Sequence, residues 1–278
     1  MPTAPLITLN DGAQIPQLGL GVWQLDDAQA YESSKAALAA GYRHIDTAMI
    51  YGNEAGVGRA VADSDLPREQ IFITTKLWNA DQGFDSTLHA FDASLQRLGL
   101  ETLDLYLIHW AIPKKGLYRD TWKALVRLQE EGRVRSIGVS NFNADHLTHI
   151  IEDTGVVPAV NQIEIHPDFH QAELSQWCRD KGIVTESWSP LGQGGDLLKL
   201  PLFTEIAQRH GKTAAHVILR WHVQNGHVVI PRSSNAQRIA ANIDVFDFEL
   251  SAQELAAIAE IQQTGRLGPD PQTIEMGM

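Results

Sequence analysis

The stretch LDLYLIHW at residues 103–110 decides the fold of this chain. It is a short apolar run that ends in an ionisable side chain, His109. Two other runs share this design, because residues 42–46 end in Asp46 and residues 71–77 carry Lys76 next to their end. Near-continuous apolar runs of this length are typical of parallel strands that helices cover. We therefore predict three such strands with polar side chains at their ends.

These runs belong to a series of eight. We predict strands at residues 17–22, 42–46, 71–77, 103–109, 135–139, 159–163, 183–188 and 228–231. Helical patterns occur at residues 28–40, 84–98, 121–131, 145–151, 174–181, 203–210, 214–224, 236–242 and 252–261. Eight β-then-α units predict an α/β fold of the (β/α)8 TIM barrel type. The alternative is an open doubly wound sheet, whose usual third glycine is missing after Gly19 and Gly21.

Two further segments frame the predicted barrel. Within residues 6–15, two short and largely apolar segments lie on either side of Asp11-Gly12. This dipeptide suits a tight turn, so we predict an N-terminal β-hairpin. Residues 265–278 show no periodicity. We predict that they form a short C-terminal tail over one end of the barrel, where it is a candidate lid.

Composition and charge exclude several classes of protein. The 278 residues fit one barrel domain over residues 1–278. No apolar run reaches about 18 residues, and the first residues lack a secretory signal pattern. We therefore expect a cytoplasmic protein without a membrane partner. The net charge of −12 argues against nucleic acid partners. The single cysteine, Cys178, is expected to be a buried, unreactive thiol.

Four ionisable side chains form a candidate catalytic set. Active sites of such barrels lie at the carboxyl ends of the strands, which brings Asp46, Lys76 and His109 together. Tyr51 lies in the loop after the second strand. A phenol has an ordinary pKa of about 10, and a neighbouring ammonium lowers it. We predict that Asp46 pairs with Lys76, that Tyr51 is an acid and that His109 donates to a carbonyl oxygen.

Each member of this set also has an ordinary interpretation. Asp46 suits a helix cap, Tyr51 a core or surface aromatic, Lys76 a solvated charge and His109 a structural histidine. Their joint occurrence at one rim favours the catalytic interpretation.

Polar side chains at the ends of later strands predict a cofactor site. Ser140 and Asn141 end the fifth strand and Gln162 ends the sixth, and all three side chains suit a carboxamide group. Trp188 ends the seventh strand, where its ring could stack on a flat ring. Packing in the core is the alternative for Trp188.

The segment after the eighth strand predicts a phosphate site. Ser233, Ser234 and Asn235 precede a helix, and free N–H groups at a helix start bind phosphate. Arg232 and Arg238 add donors for a phosphate ester. The alternative is a capped surface helix with two solvated arginines.

Together these motifs resemble the aldo-keto reductase superfamily over essentially the whole chain. The matching segments are GYRHIDTA (41–48), YGNE (51–54), GVG (56–58), TKLW (75–78), DLYLIHW (104–110), IGVSNF (137–142), NQIE (161–164) and IPRS (230–233). Within the superfamily the chain is most similar to bacterial 2,5-diketo-D-gluconate reductases. That likeness rests on VVPAVNQ (156–162), ESWSPLGQG (186–194), DVFDF (244–248) and the short tail.

The resemblance implies NADPH-dependent reduction of an aldehyde or ketone by a monomer that needs no metal. The implied catalytic residues are Asp46, Tyr51, Lys76 and His109, with Tyr51 as the general acid. The implied NADPH/NADP-binding residues are Ser140, Asn141, Gln162, Trp188, Ser189, Leu191, Gly192, Gln193, Arg232, Ser233, Ser234, Arg238 and Asn242, with the nicotinamide against Trp188. The implied substrate pocket consists of Trp23, Trp78, His109 and Trp110.

The sequence departs from the family pattern at three positions. Ala111 stands where proline usually follows His-Trp, and Arg232 stands where lysine usually follows Ile-Pro. Ala241 stands before Asn242 in place of a glutamate that commonly lies near the adenine. We expect NADPH to be preferred, with NADH as the weaker alternative.

Two other functions compete with carbonyl reduction. A Schiff-base lyase would use Lys76 as its nucleophile, but it would leave Trp188 and Arg232 without a role. A non-catalytic, NADPH-binding redox sensor would not need the intact catalytic set. For a reductase, candidate substrates are 2,5-diketo-D-gluconate and similar keto sugar acids, α-dicarbonyls such as methylglyoxal, β-keto esters and simple aldehydes. The particular enzyme activity that the resemblance suggests is that of a 2,5-didehydrogluconate reductase.

Overall fold

The computed structural model describes residues 3–277. Its strands are β1 (Leu6–Thr8), β2 (Gln14–Pro16), β3 (Leu20–Gly21), β4 (His44–Asp46), β5 (Phe72–Leu77), β6 (Leu103–Ile108), β7 (Val134–Ser140), β8 (Val160–Glu164), β9 (Val184–Trp188) and β10 (Val228–Val229). Its α-helices are α1 (Asp27–Ala40), α2 (Glu54–Ala62), α3 (Phe84–Leu98), α4 (Tyr118–Glu130), α5 (Ala144–Thr154), α6 (Ala172–Asp180), α7 (Pro201–His210), α8 (Ala214–Gln224), α9 (Ala236–Asn242) and α10 (Ala252–Ala259).

Strands β3 to β10 form one parallel sheet in the order of the chain. The first and last of these strands meet, because the N–H of Gly19 donates to Val229 O at 2.9 Å and that of Gly21 donates to Pro231 O at 3.1 Å. The predicted (β/α)8 barrel is confirmed. At Gly21 a Cβ would lie 3.1 Å from the Ile230 carbonyl oxygen, so a glycine eases the close approach of the two strands.

The register of the sheet brings the ends of three strands together. Asp46 of β4 pairs with Thr74 of β5, and Lys76 of β5 pairs with Leu107 of β6. The N–H of His109 then donates to Leu77 O at 3.2 Å, which continues the ladder past the end of β6. Side chains that are far apart in sequence therefore meet at the carboxyl end of the barrel.

Helix α2 is absent from the predicted helices, since two glycines weaken its helical pattern. Both glycines have a packing reason. A Cβ at Gly56 would lie 2.1 Å from the carbonyl oxygen of Asp27 on α1, and a Cβ at Gly58 would lie 2.1 Å from that of Leu98 on α3. The helix thus packs closer to its neighbours than any larger residue would allow.

The predicted N-terminal hairpin is confirmed. Strands β1 and β2 pair antiparallel, and Gly12 takes the positive φ of 86° that the turn needs. Ile15 of β2 is fully buried and belongs to one apolar cluster with Phe72 and Leu105. The hairpin therefore covers the amino-terminal end of the barrel, opposite the rim that carries His109.

The C-terminal segment crosses the other end of the barrel. The amide of Asn79, after β5, donates to Met276 O at 2.8 Å, and Ile274 packs with Trp110 and Ile112. Residues near the end of the chain thus form part of the barrel mouth. No helix among residues 3–277 has the length and apolar character needed to cross a membrane.

Candidate active site

An ion pair lies inside the barrel rim. The Nζ of Lys76 donates to Asp46 Oδ1 at 2.6 Å and to Thr47 O at 3.0 Å, and the Gln162 amide donates to Asp46 Oδ2 at 2.8 Å. Burial lowers the pKa of Lys76, but Asp46 and Tyr51 outweigh it and raise that pKa above its usual value. For Asp46 the largest influence is burial, which raises its pKa, while the Lys76 ammonium and the Gln162 amide act in the opposite direction. The short contact favours the charged pair.

The phenol of Tyr51 lies beside this pair. Tyr51 ends a 3-10 turn, and the following Gly52 has a left-handed φ of 68°. The Nζ of Lys76 is 5.3 Å from the centre of the Tyr51 ring. Burial is the largest influence and raises the pKa of Tyr51, while the ammonium opposes it. The expected lowering is therefore wrong in its net direction, and Tyr51 holds its proton at neutral pH.

His109 lies against aromatic rings at the same rim. Its ring centre is 5.8 Å from that of Tyr51 and 5.4 Å from that of Trp78. Burial, followed by the charge of Lys76, lowers the pKa of His109 well below the usual value. The imidazole is therefore neutral at physiological pH and keeps one N–H donor for a carbonyl oxygen.

A chain of hydrogen bonds connects the residues predicted to hold a carboxamide. The Trp188 indole N–H donates to Asn141 Oδ1 at 2.8 Å. The Asn141 amide donates to His109 O at 3.1 Å and to Ser140 Oγ at 3.0 Å, and the Ser140 hydroxyl donates to Gln162 O at 2.9 Å. These four predicted cofactor residues are thus adjacent to one another and to the predicted catalytic residues.

The loop after β9 has an unusual backbone. Ser189 and Gln193 have positive φ values of 48° and 56°, which are uncommon for residues other than glycine. Gly192 has a φ of 58° and its N–H donates to Ser189 O at 3.0 Å, while Leu191 packs against the core. The four residues form one compact turn next to Trp188, and their role in cofactor binding stays a prediction.

The predicted phosphate residues surround the start of α9. Asn235 caps the helix by accepting from the Arg238 N–H at 3.0 Å, and Ser233 is buried while Ser234 is exposed. Asn242, which was predicted near the adenine, is buried at the other end of α9. The exposed Arg232 guanidinium donates to the carbonyl oxygens of Trp23 and Gln24 at 3.0 and 3.2 Å. In the described part of the chain, neither Arg232 nor Arg238 pairs with a carboxylate.

Three of the four predicted pocket residues line one aromatic mouth. Trp78 and Trp110 pack together with Trp188, Ile112 and Ile274, and His109 lies beside them. Trp23 is 40% exposed and lies outside this cluster. Two cavities of about 310 and 240 Å³ are lined by none of the predicted site residues.

The tail was predicted to lie over one end of the barrel, but the residues by which it contacts the mouth were not predicted from the sequence. A Cβ at Gly268 would lie 2.6 Å from the Trp188 ring, and one at Gly277 would lie 3.0 Å from Trp78 Nε1. Both glycines thus place backbone directly against the rings of Trp188 and Trp78, which pack in the aromatic cluster at the mouth. The sequence signal for these contacts is weak, because it consists only of glycines within a tail that shows no periodicity.

Two buried ionisable groups beneath the ion pair were also missed. His44 and Glu186 are both fully buried, and they lie 3.9 Å apart, from Nε2 to Oε1. The alternation of side chains along a strand could have indicated them, because His44 precedes Asp46 by two positions and Glu186 precedes Trp188 by two. Cys178 is confirmed as buried, and burial raises its pKa to about 11.

Comparison with known proteins gives consistent matches. The model of the Aldo/keto reductase family matches residues 17–263. An aldo-keto reductase of Mycolicibacterium smegmatis is 59% identical over 97% of this chain and 98% of its own length. The glyoxal reductase of Bacillus subtilis is 48% identical over 98% of both chains. The crystal structure of a Gox0644 mutant in complex with NADPH has a TM-score of 0.94 at 48% identity, and the match covers 98% of this chain and 99% of that one.

Proposed function

Because this chain belongs to the aldo/keto reductase family, we propose that it reduces the carbonyl group of a small aldehyde or ketone, with NADPH as the hydride donor. The observation that carries the proposal is the arrangement at the rim. A buried Lys76–Asp46 pair at 2.6 Å lies beside a protonated Tyr51 and a neutral His109. An acid, a cation that stabilises its conjugate base and a neutral donor thus meet at one point.

The residues present fit NADPH. Arg232 and Arg238 are exposed cations without a carboxylate partner among residues 3–277, in a chain of net charge −12, and cations in this state suit a phosphate ester. At the other end, the side chains of Ser140, Asn141 and Gln162 can hold a carboxamide. The Gox0644 mutant, similar over nearly its whole length, forms a complex with NADPH. Bound NADPH supplies the hydride for the reaction.

The side chains then have distinct tasks. The neutral imidazole of His109 donates a hydrogen bond to the substrate carbonyl oxygen and orients it. Tyr51 gives its phenolic proton to that oxygen as negative charge develops there. The resulting phenolate is stabilised by the Lys76 ammonium, which Asp46 holds in position. The tryptophans of the mouth exclude water, which strengthens each of these interactions.

The geometry argues against a Schiff-base lyase. A nucleophilic lysine needs a neutral amine and access to substrate. Lys76 is fully buried, its ammonium is bonded to Asp46 and Thr47, and its pKa is raised. These features favour a fixed cation instead of a nucleophile.

The proposed substrates are α-dicarbonyls, 2,5-diketo-D-gluconate and similar keto sugar acids, β-keto esters and simple aldehydes. The similarity to the glyoxal reductase of Bacillus subtilis supports α-dicarbonyls as the first class to test. The apolar mouth around Trp78 and Trp110 suits small, uncharged substrates. An assay of NADPH and NADH oxidation with all four classes would rank them, and 2,5-didehydrogluconate reductase activity would appear as a preference for the keto sugar acid.

The variant Tyr51→Phe tests the chemical step. We expect kcat to fall by about 10² to 10⁴-fold, the usual contribution of a general acid, while NADPH binding measured by fluorescence is retained. Tyr31→Phe on the surface of α1 is the matched control. Full activity of Tyr51→Phe would refute the proposal. Borohydride trapping of substrate on Lys76 would favour a lyase, and a wild-type protein that oxidises no NADPH with any class would favour a redox sensor.

A further inference from the structure

Glu186 is a buried carboxyl group that the proposed reaction does not use. It lies on β9, two residues before Trp188, and is fully buried. Within residues 3–277, neither of its oxygens accepts a hydrogen bond of ordinary geometry, although Lys76 and the Gln162 side chain face it and oppose the rise that burial causes in its pKa. A buried carboxylate without hydrogen bonds is strongly unfavourable, and such a group keeps its proton instead. The geometry alone therefore indicates a neutral carboxylic acid.

The groups facing Glu186 belong to the catalytic set and its support. From β4 come His44 and Asp46, and from β5 comes the ammonium of Lys76. Strand β8 contributes Gln162, in register with Glu186. The neighbour on β10 is the uncharged Val228. Lys76 is thus the cation that Glu186 shares with Asp46 and Tyr51.

His44 does not neutralise Glu186. Burial, followed by the charge of Lys76, lowers the pKa of His44 to about 3. Its Nε2 lies 3.0 Å from Thr74 Oγ1 and 3.9 Å from Glu186 Oε1. With His44 neutral, this contact is no ion pair. Burial, with the charge of Asp46 as the next influence, raises the pKa of Glu186 to about 8.

We propose that Glu186 is a positioning residue that must hold its proton for the Asp46–Lys76 pair to stabilise the phenolate of Tyr51. The inference rests on the proposed carbonyl reduction. When the Tyr51 O–H bond breaks and the substrate O–H bond forms, a second negative charge appears beside Lys76. If Glu186 is neutral, the Lys76 ammonium faces two anions, the Asp46 carboxylate and the Tyr51 phenolate. An ionised Glu186 adds a third negative charge, which opposes formation of the phenolate. Glu186 keeps its own proton throughout.

The dependence of kcat on pH tests this inference in the intact enzyme. The variant Glu186→Gln has nearly the same shape and is always neutral. For wild-type protein we expect kcat for NADPH-dependent reduction to fall by about tenfold between pH 7 and pH 9, as a group with a pKa near 8 ionises. For Glu186→Gln we expect kcat at pH 9 to be nearly equal to kcat at pH 7, so that their ratio stays near one. Ser187→Ala, the next residue on β9, is the control and should keep the wild-type ratio.

A wild-type fall that Glu186→Gln reproduces unchanged would overturn the inference. If Glu186→Gln does not fold, Glu186→Met replaces it as a second neutral variant. If neither folds, the infrared difference spectrum of wild-type protein between pH 7 and pH 9 decides. Loss of a protonated-carboxyl band in parallel with kcat supports the inference, and a constant band refutes it. A wild-type protein that reduces no carbonyl compound refutes both proposals, whereas an active one with an unchanged variant profile refutes this one alone.

Discussion

The carboxylate of Glu164 accepts a hydrogen bond from the backbone N–H of Leu267 at 2.6 Å. The same carboxylate accepts from the N–H of Gly268 at 3.1 Å, and His166 Nε2 lies 3.1 Å from it. The tail is thus held at the end of β8, where Gly268 lies against Trp188. One buried acid connects the C-terminal segment to the aromatic mouth.

The first prediction concerns this anchor. Glu164→Ala removes two charge-assisted hydrogen bonds, each of which contributes on the order of 1.5–3 kcal/mol. We expect the tail to open at least about tenfold more often, measured as faster hydrogen exchange and proteolysis of residues 262–277. KM should rise, because Ile274 then leaves the apolar mouth. The exposed Glu173 of α6, changed to alanine, is the control, and equal exchange rates in both variants would contradict the prediction.

The second prediction concerns cofactor discrimination. Arg232→Ala removes an exposed guanidinium that we assign to the 2′-phosphate of NADPH. We expect the Kd for NADPH to rise by about 10 to 100-fold, as for loss of a hydrogen bond to a charged group, and that for NADH to stay nearly constant. Arg127→Ala on α4 is the matched control. An equal loss for both cofactors would instead mean that Arg232 acts by holding Trp23 and Gln24.

The third prediction concerns stability at acidic pH. Burial lowers the pKa of His227 to about 4, whereas an unfolded chain has a histidine pKa of about 6.5. Below pH 6.5 the unfolded chain binds a proton at this histidine that the folded protein does not bind until the pH nears 4. The free energy of unfolding is therefore unaffected by His227 above pH 6.5 and decreases as the pH falls from 6.5 towards 4. We expect a loss of about 2 kcal/mol at pH 5 from this histidine.

Denaturant unfolding at pH 7 and pH 5 measures this effect. In His227→Gln the difference between the two free energies of unfolding should shrink by about 2 kcal/mol relative to wild type. His89→Gln on the exposed face of α3 controls for the substitution itself. An unchanged difference in His227→Gln would show that His227 is protonated in the folded protein.

Much of the fold and of the candidate site could be predicted from local patterns. The apolar run at residues 103–108 became β6, and the polar residues after the strands met at one rim because parallel strands share a direction. Helix α2 was harder to predict, because its two glycines are explained by close contacts with α1 and α3, which are distant in the sequence. The contacts of Gly268 with Trp188 and of Gly277 with Trp78 likewise depend on residues that are far away in the sequence.

The net direction of the pKa shifts of buried groups such as Tyr51 could be found only from the folded structure. Sequence reasoning placed Lys76 beside Tyr51 and expected a lowered phenol pKa, because an ammonium acts in that direction. Burial is a property of the whole barrel, and it outweighs the ammonium. The inference that Glu186 is neutral likewise rests on its burial in the barrel and on the lack of a hydrogen bond of ordinary geometry in the described chain.

The sequence by itself determined the barrel, its hairpin and the identity of the side chains at the strand ends. Strand and helix periodicity act over a few residues, and the chemistry of Asp46, Lys76 and His109 is carried by the side chains themselves. Only the tertiary structure decided how the barrel closes, which residues of the tail contact the mouth and which buried groups keep their protons. These depend on contacts between distant residues and on removal from water, and neither leaves a local pattern in the chain.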